Sequence, residues 1–310
     1  MRITTLESTK GMTYEEWKAS RRKGIGGSDA ATVLGLNKWK SAFELYMEKT
    51  GEAQAPEAGE AAYWGNVLED VVAQEFQKRA NRKVRRVNKI LVHPKHEWMI
   101  ANIDRRIVGE NALLECKTTS AYNASEWKDD QVPAAYIIQA MHYLAVTGAD
   151  IAYFAALIGG QRFVWKAIER DEELIANIIE QEAEFWQRVE AKEPPPIDGS
   201  ASAAEFLKRL YPQATSEEKM LDADVDDLLD ELAELKEKQK EYDVQIKLRE
   251  NQVKQLLGTA EKGIAFRHVV SWSNYERTSL DTKRLKLEDP DIYEAYAVTV
   301  PQRRFMVKEV

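Results

Sequence analysis

The chain has 310 residues, an apolar content of 44% and a formal net charge of −8. This length allows one large domain, or one domain with an extension. The negative sum argues against a general nucleic-acid coat protein, and the single cysteine excludes a disulfide framework and fits a reducing cytosol. No segment has the pattern of a membrane span or a signal peptide. We therefore expect a cytoplasmic protein with a sizeable core and no membrane contact.

The first predicted helix is marked by its start signal. Thr13 and Glu16 have the spacing of a capping box, in which each side chain bonds the backbone of the other residue. This spacing predicts a helix from about 14 to 22, which ends in a basic triplet at 21–23. Residues 1–12 carry no strong pattern and are expected to form an arm.

A glycine-rich turn at 24–27 follows, and Ser28 or Asp29 is expected to cap a short helix over 30–34. Such a turn leaves backbone N–H groups free to bind an anion. An ordinary connection between two helices explains the spacing equally well. The basic triplet at 21–23 favours a phosphate contact.

Two further helices are predicted over 41–50 and 60–80. The second has apolar residues at helical spacing, namely Val67, Leu68, Val71, Val72 and Phe76. Glu69 lies beside this stripe. Most helix glutamates are simply solvated, so the pattern alone makes Glu69 only a minor candidate for a functional role.

The strongest basic cluster spans residues 78–89 and continues into a predicted strand that reaches Val92. A run of charges is usually a solvated face. This one directly precedes an acidic segment, and cations beside a metal site are what a nuclease needs to hold a phosphate backbone.

The acidic segment is predicted to be a β-hairpin, because apolar runs at 98–108 and 112–118 flank a Gly-Glu-Asn turn. Strand residues alternate faces, so Glu115 and Lys117 share one face, and Asp104 lies on the partner strand. Carboxylates are the oxygen ligands that Mg²⁺ prefers, and a neighbouring lysine can orient a water or neutralise a phosphate. The hairpin therefore predicts a metal site that hydrolyses phosphodiesters, although the pattern by itself is weak.

Alternating helical and strand patterns follow the hairpin. We expect a loop over the site at 118–133, a helix at 134–146, strands at 151–158 and 163–168, and a long helix at 172–192. Three consecutive prolines then end the pattern and indicate a domain boundary near residue 200. The four histidines and the cysteine do not have zinc-site spacing. His142 is expected to be a packed or surface residue.

The C-terminal segment has a different composition. Residues 216–257 lack proline and glycine and repeat apolar residues at alternating spacings of three and four, which predicts a helical hairpin arm or a coiled coil. A strand at 264–273 with a return near 304–307, and a helix at 290–296, complete a small cap. The expected domains are a nuclease domain at 1–200, a linker with a coiled-coil arm at 201–257, and an α+β cap at 258–310.

Four motifs in order over about residues 14–200 make a specific match to a known family. They are Arg21-Arg-Lys-Gly-Ile-Gly-Gly-Ser28-Asp29, Trp64-Gly65-x3-Glu69, Asp104 with Glu115-Cys-Lys117, and Tyr136-x2-Gln139-x2-His142-Tyr143. The chain resembles the YqaJ-type viral recombinases, which are phage alkaline exonucleases similar to λ exonuclease within the PD-(D/E)xK superfamily. One departure is Ile103, where the superfamily name has proline, and another is Asn102, which stands where the λ-type enzymes carry a serine near the phosphate.

The resemblance implies an α/β restriction-endonuclease-like core, with a mixed central sheet flanked by helices and with the C-terminal arm and cap as additions. It also implies a 5′→3′ exonuclease that degrades one strand of linear double-stranded DNA by two-metal hydrolysis with Mg²⁺, for which Mn²⁺ can substitute. Carried over residue by residue, the metal ligands would be Asp104, Glu115 and Glu69. Lys117 would be the catalytic lysine, and Gln139 would support the water or the scissile region. Phosphate would be bound by Arg21, or alternatively Arg22, together with Ser28 and Asn102.

The resemblance further implies partners. Such nucleases are one half of a recombination pair whose other half is a single-strand annealing protein, and they often form ring-shaped trimers in the host cytoplasm. Two alternatives stay open at the level of sequence. One is an endonuclease of the same superfamily, and the other is a non-catalytic DNA-end or scaffold protein that recruits partners through its coiled-coil arm.

Overall fold

The computed structural model describes residues 4–55, 59–129, 131–299 and 303–308. The chain divides into two compact units, residues 1–210 and 211–310. The expected domain boundaries at 200 and 257 stay predictions. A helix over 201–210, within the segment expected to be a linker, belongs to the first unit and packs against the helix over 42–50.

The described residues of the first unit contain eight strands in two sheets. Its strands are β1 (Thr4–Ser8), β2 (Val84–Arg86), β3 (Lys89–Val92), β4 (Ile100–Ala101), β5 (Arg105–Ile107), β6 (Ala112–Thr119), β7 (Ile151–Ile158) and β8 (Arg162–Glu169). The larger sheet has the order β2-β5-β6-β7-β8, and β6 and β7 are parallel while the other pairs are antiparallel. The smaller sheet has the order β1-β3-β4 and is antiparallel.

In the part of this unit that the structure describes, seven α-helices flank the sheets. They are α1 (Tyr14–Arg21), α2 (Gly27–Val33), α3 (Ala42–Thr50), α4 (Glu60–Ala80), α5 (Ala134–Thr147), α6 (Glu172–Ala191) and α7 (Ala201–Leu210). The capping box of Thr13 and Glu16 is present at the start of α1, as predicted. Gly148 ends α5 in the left-handed conformation at φ 63°, which glycine adopts without steric cost.

The core lies on both faces of the larger sheet. Leu113 packs in the cluster that includes α5, whereas Leu114 and Cys116 pack with the cluster that includes α4. This alternation follows from the two-residue period of a strand. The mixed sheet flanked by helices confirms the predicted core.

The strand predicted over 98–108 is interrupted in the structure. Its first part is β4 in the smaller sheet, its last part is β5 in the larger sheet, and the chain leaves regular pairing between them. The predicted strand up to Val92 is likewise divided. Its first part, β2, pairs with β5 in the larger sheet, and its second part, β3, pairs with β1 and β4 in the smaller sheet. Where the two sheets separate, the backbone N–H of Val87 donates to the carbonyl of Asp104 at 3.2 Å. In both cases the prediction of a strand is confirmed, but the prediction that the strand is continuous is wrong.

Three smaller predictions also need correction. Residues 4–8, expected to be an arm, form β1 against β3. Helix α2 begins at Gly27 with Gly26 as its N-cap, so Ser28 and Asp29 lie inside its first turn. The loop predicted over 118–133 includes a 3-10 helix at Ala121–Trp127, and its Trp127 side chain is buried in the core. Residue 130 of that loop lies outside the described residues.

The second unit is built on one long helix, α8 (Asp224–Leu257), which begins later than the predicted residue 216. A short antiparallel hairpin of β9 (Lys262–Ile264) and β10 (Val269–Ser271) replaces the single strand predicted at 264–273. Helices α9 (Thr282–Glu288) and α10 (Pro290–Tyr296) follow. The return strand predicted near 304–307 is wrong, because residues 303–308 are neither helix nor strand.

Across the part of the chain that the structure describes, every helix is too short or too polar to cross a lipid bilayer.

Candidate active site

Two carboxylates and a lysine meet where β6 leaves its pairing with β5. The Glu115 side chain is 3% exposed and accepts from Lys117 Nζ at 3.3 Å and from Gln139 Nε2 at 3.2 Å. Asp104 lies in the interruption between β4 and β5, where its Oδ2 accepts from the backbone N–H of Cys116 at 2.8 Å. The interruption of the predicted strand is therefore what turns Asp104 towards β6.

The site concentrates negative charge in a buried place. Burial raises the pKa of the Glu115 carboxyl, and the nearby Asp104 raises it further. The pKa of Asp104 is also raised, again mainly by burial. For Lys117, burial favours the neutral amine, but the two carboxylates outweigh it and the pKa of the ammonium is raised. Such a group has a surplus of carboxylate charge that a cation can neutralise.

The Lys117 ammonium has a defined position. It lies 5.2 Å from the centroid of the Tyr136 ring and 5.8 Å from that of Phe154. A cation near an aromatic face is attracted by the ring quadrupole. Tyr136 and Phe154 therefore help to hold the lysine beside Glu115.

Helix α5 contributes two hydrogen-bonded polar side chains to the same site, Gln139 and Tyr143, which we call the polar ladder. Gln139 donates from Nε2 to Glu115 and lies 3.2 Å from the hydroxyl of Tyr143, one helical turn later. The Tyr143 ring packs directly against the backbone of Gly27, where a Cβ atom would come within 2.4 Å of Cε1. The absence of a side chain at Gly27 thus lets α2 approach α5 closely.

Replacing Gly27 by alanine is expected to destabilise the protein by about 1–3 kcal/mol, because the new methyl group would overlap the fully packed Tyr143 ring. Thermal unfolding of Gly27→Ala measures this effect. Gly65→Ala is the matched control, since its Cβ would meet only Thr118 Oγ1 at 3.6 Å and alanine favours the helix. Equal stability of the two variants would contradict the assigned contact.

A second cluster surrounds the glycine turn. Arg21 Nη2 donates to Ser28 Oγ and to Asp29 Oδ1, both at 2.9 Å. Asp29 also accepts from Lys49 Nζ at 2.8 Å and from the backbone N–H of Gly26 at 3.1 Å. Burial alone would raise the pKa of Asp29, but Arg21 and Lys49 outweigh it and hold the pKa well below its ordinary value. The pair of cations therefore fixes the turn through an ionised aspartate.

This cluster borders a small cavity of about 70 Å³. The predicted phosphate residues Arg21, Ser28 and Asn102 all line it, and so does Tyr143 from the polar ladder. Arg22 instead lines a larger neighbouring cavity of about 650 Å³, to which Arg21 and Ser28 also contribute. The structure thus brings Asn102 together with Arg21 and Ser28 but not with Arg22.

Glu69 is bound to an arginine and not to the carboxylates of the site. Arg105 donates to Glu69 Oε1 from Nη1 at 2.5 Å, to Asp70 Oδ1 from Nη2 at 2.5 Å, and to the carbonyl of Asp104 at 2.8 Å. Within the described ranges, no three His, Cys, Asp or Glu side chains form a group that could hold a metal ion. In this structure Glu69 is therefore linked to Asp104 through Arg105, and its predicted metal contact stays a prediction.

His142 is fully buried, as expected for a packed histidine. Its Nδ1 lies 2.7 Å from Glu182 Oε1 on α6, and its Nε2 lies 2.9 Å from the carbonyl of Ile100 on β4. Burial alone would lower the pKa of this imidazole, but Glu182 outweighs it, and the pKa is raised. The contact ties β4, just ahead of Asp104, to α5.

Several residues of the site were not assigned a role from the sequence. Tyr143 had a signal, because it lies four residues after Gln139 and hence on the same helix face. Arg105 directly follows Asp104, but its partner Glu69 lies 36 residues away, so no local pattern indicates the contact. Lys49 and Glu182 carried no local signal, since their partners lie 20 and 40 residues away.

The fold and the position of the acids define a restriction-endonuclease-like protein. The solved structure of LHK-Exo in complex with dAMP has a TM-score of 0.50 to this chain, with 24% identity over 63% of this chain and 96% of that chain. A second structure of LHK-Exo, an alkaline exonuclease from Laribacter hongkongensis, has a TM-score of 0.49 with the same identity and coverage. At this identity the likeness concerns the fold.

Sequence comparison gives the family. The model of the YqaJ-like viral recombinase domain matches residues 16–150. The uncharacterized protein YqaJ of Bacillus subtilis (strain 168) is 47% identical over 315 residues, which cover 100% of this chain and 98% of that protein. Protein D345L of African swine fever virus is 40% identical over 57 residues, or 18% of this chain and 16% of that protein. The chain belongs to the YqaJ-like viral recombinase family.

Proposed function

We propose that this protein is a Mg²⁺-dependent 5′→3′ exonuclease that degrades one strand of linear double-stranded DNA in phage-type recombination. Membership of the recombinase family supports a nuclease that acts on DNA. The observation that carries the chemistry is the group of Asp104, Glu115 and Lys117, with one buried and one half-buried carboxylate beside an ammonium.

The residues of the site fit a hard divalent cation. Asp104 and Glu115 offer carboxylate oxygens, and burial, the main cause of the raised pKa of each, disfavours their charged forms, so a bound cation would stabilise the ionised pair. Mg²⁺ needs only one or two protein carboxylates, because it keeps waters and substrate phosphate oxygens as its other ligands. Mn²⁺ accepts the same oxygen donors. When bound, such ions polarise the phosphate and generate a hydroxide nucleophile, as in two-metal hydrolysis. Glu69 would join this ligand set if it left Arg105.

The remaining residues have roles that follow from their contacts. Lys117 places a positive charge next to Glu115, where it can stabilise the charge that develops on the phosphate oxygens during hydrolysis. Gln139 donates to Glu115 and orients its carboxylate. Tyr136 and Phe154 keep the Lys117 ammonium in place. Each role depends on a rigid strand or helix of the core.

The small cavity is proposed to hold the terminal 5′-phosphate or the scissile phosphate. Arg21 and Ser28 line it with Asn102, which provides an amide for hydrogen bonding. Arg21 is the better candidate than Arg22, because Arg22 does not line this cavity. A guanidinium and a hydroxyl at 2.9 Å from each other can bind two oxygens of one phosphate.

The biological setting is a further part of the proposal, made by analogy with the family. We propose that the enzyme resects DNA ends in the cytoplasm of a bacterial host and passes the remaining strand to a single-strand annealing protein. A ring trimer would surround the duplex, which would let an acidic protein keep its cations on the inner surface.

Digestion of labelled duplexes tests the proposed activity. A linear duplex with a 5′ label is expected to release labelled mononucleotide early in the presence of Mg²⁺ or Mn²⁺, and no product is expected with excess chelator. Covalently closed circular DNA is the matched control and should stay intact. Nicking of the circle would instead support an endonuclease, and release of a 3′ label first would contradict the proposed polarity.

A further inference from the structure

Helix α8 has an apolar seam that its own unit does not cover. Mostly apolar residues recur at alternating spacings of three and four along its whole length, and none of its 34 residues is buried. On the seam, Leu235 is 56% and Ile246 is 55% exposed. The complete seam comprises Val225, Leu228, Leu232, Leu235, Gln239, Tyr242, Ile246, Arg249, Val253 and Leu256. A helix of this length, about 50 Å, is normally stabilised by packing of such a seam.

The charge on α8 is divided along its axis. Residues 224–234 contain six acidic and no basic side chains, whereas residues 236–257 contain six basic and four acidic ones. Ion pairs inside the helix involve Glu234 and residues after it, such as Lys240 with Glu237. None of the acids at 224–231 has a basic partner among the described residues. The first two turns therefore present unpaired negative charge.

We propose that α8 pairs in antiparallel orientation with α8 of a second copy of this chain. A parallel pair would place the acidic half of one helix beside the acidic half of the other, and these like charges would repel each other. An antiparallel pair places each acidic half against the basic half of its partner. The two-fold symmetry makes the contact self-complementary and closed, so that each α8 binds one partner helix and two ring trimers can join face to face as one closed assembly.

The seam has a register that suits this arrangement. With the pair centred between residues 240 and 241, Val225 faces Leu256 and Leu235 faces Ile246, so apolar residues meet in the outer layers. Gln239 faces Tyr242 at the centre, where an amide and a phenol can bond each other. Arg249 faces Leu232, where the aliphatic stem of the arginine can cover the leucine while its guanidinium donates to Gln252 at 3.0 Å. A polar layer at one position fixes register and orientation in helical pairs.

The mass of the full-length protein in solution tests the pairing. The seam variant Leu235→Glu/Ile246→Glu is expected to have half the mass of the wild-type assembly by light scattering. Its matched control is Val244→Glu/Leu248→Glu, which adds the same charges at exposed positions off the seam and should keep the wild-type mass. Nuclease activity on linear DNA should be unchanged within about twofold in both variants. A seam variant with the wild-type mass would overturn the proposal.

Disulfide trapping tests the orientation and does not depend on how well the seam variant folds. In a Cys116→Ser background, Val225→Cys and Leu256→Cys are prepared separately, oxidised alone and oxidised after mixing. Cross-linked dimer is expected only in the mixture, because residue 225 of one copy meets residue 256 of the other. Cross-linking of the Val225→Cys variant with itself would indicate a parallel pair, and no cross-link in any sample would exclude pairing through α8. Either result overturns the proposal.

Discussion

Replacing Glu115 by glutamine is expected to lower nuclease activity by about 10³-fold while the protein stays folded. The change removes one of the two carboxylates proposed to bind the metal. A bound metal ion lowers the activation barrier by several kcal/mol through charge stabilisation, and each 1.36 kcal/mol is a factor of ten in rate. The amide is nearly isosteric and still accepts from Lys117 and Gln139. Initial rates on linear duplex at saturating Mg²⁺ measure the effect.

Stability distinguishes loss of chemistry from loss of fold in this experiment. Without divalent metal, the Glu115→Gln variant is expected to unfold at the same temperature as the wild type or higher, because it no longer buries a second negative charge beside Asp104. Glu169→Gln is the control, since Glu169 is an exposed glutamate of the same sheet. An active Glu115→Gln protein would refute the site, and an unfolded one would refute the assigned environment.

Replacing Asp29 by asparagine is expected to cost about 3–5 kcal/mol, because it leaves Lys49 buried without its charge partner. The two side chains are 6% and 4% exposed, and Lys49 also donates to the carbonyls of Arg21 and Gly24. The melting temperature should fall by roughly 10 °C. Asp70→Asn is the matched control: Asp70 also contacts two arginines, Arg86 and Arg105, but is 60% exposed, so its loss should cost about 1 kcal/mol or less.

The same pair predicts a pH dependence. The pKa of Asp29 is lowered in the folded protein from its ordinary 3.8, so its contribution to stability is fully present above about pH 4 and decreases as the pH falls further. The stability difference between wild type and Asp29→Asn should therefore be constant from pH 5 to 8 and narrow below pH 4. A difference that does not change with pH would contradict an ionised Asp29.

Much of the first unit could be predicted from local patterns. The capping box before α1, helix α4 and the turn between β5 and β6 each depend on residues close in sequence, and the structure contains all three. Of the predicted α4 stripe, Val72 and Phe76 are buried, whereas Val67 and Val71 are exposed. The shared face of Glu115 and Lys117 also follows from strand periodicity and is present. Local geometry fixes such features before any long-range contact forms.

Other features could not be predicted because they depend on which segments become neighbours. The interruption at Asp104 arises because β4 and β5 pair in different sheets, while the apolar pattern runs on through both. The position of Glu69 depends on Arg105, which lies 36 residues away. No periodicity contains that information.

The sequence by itself determined the chemical groups of this protein, the elements that carry most of them and the family to which the chain belongs. Only the tertiary structure decided that Asn102 joins Arg21 and Ser28 at one cavity, that Glu69 is bound by Arg105, and that the α8 seam is exposed within its own unit. The physical reason is range: caps, turns and stripes are set by neighbours along the chain, whereas charge pairing and burial are set by neighbours in space.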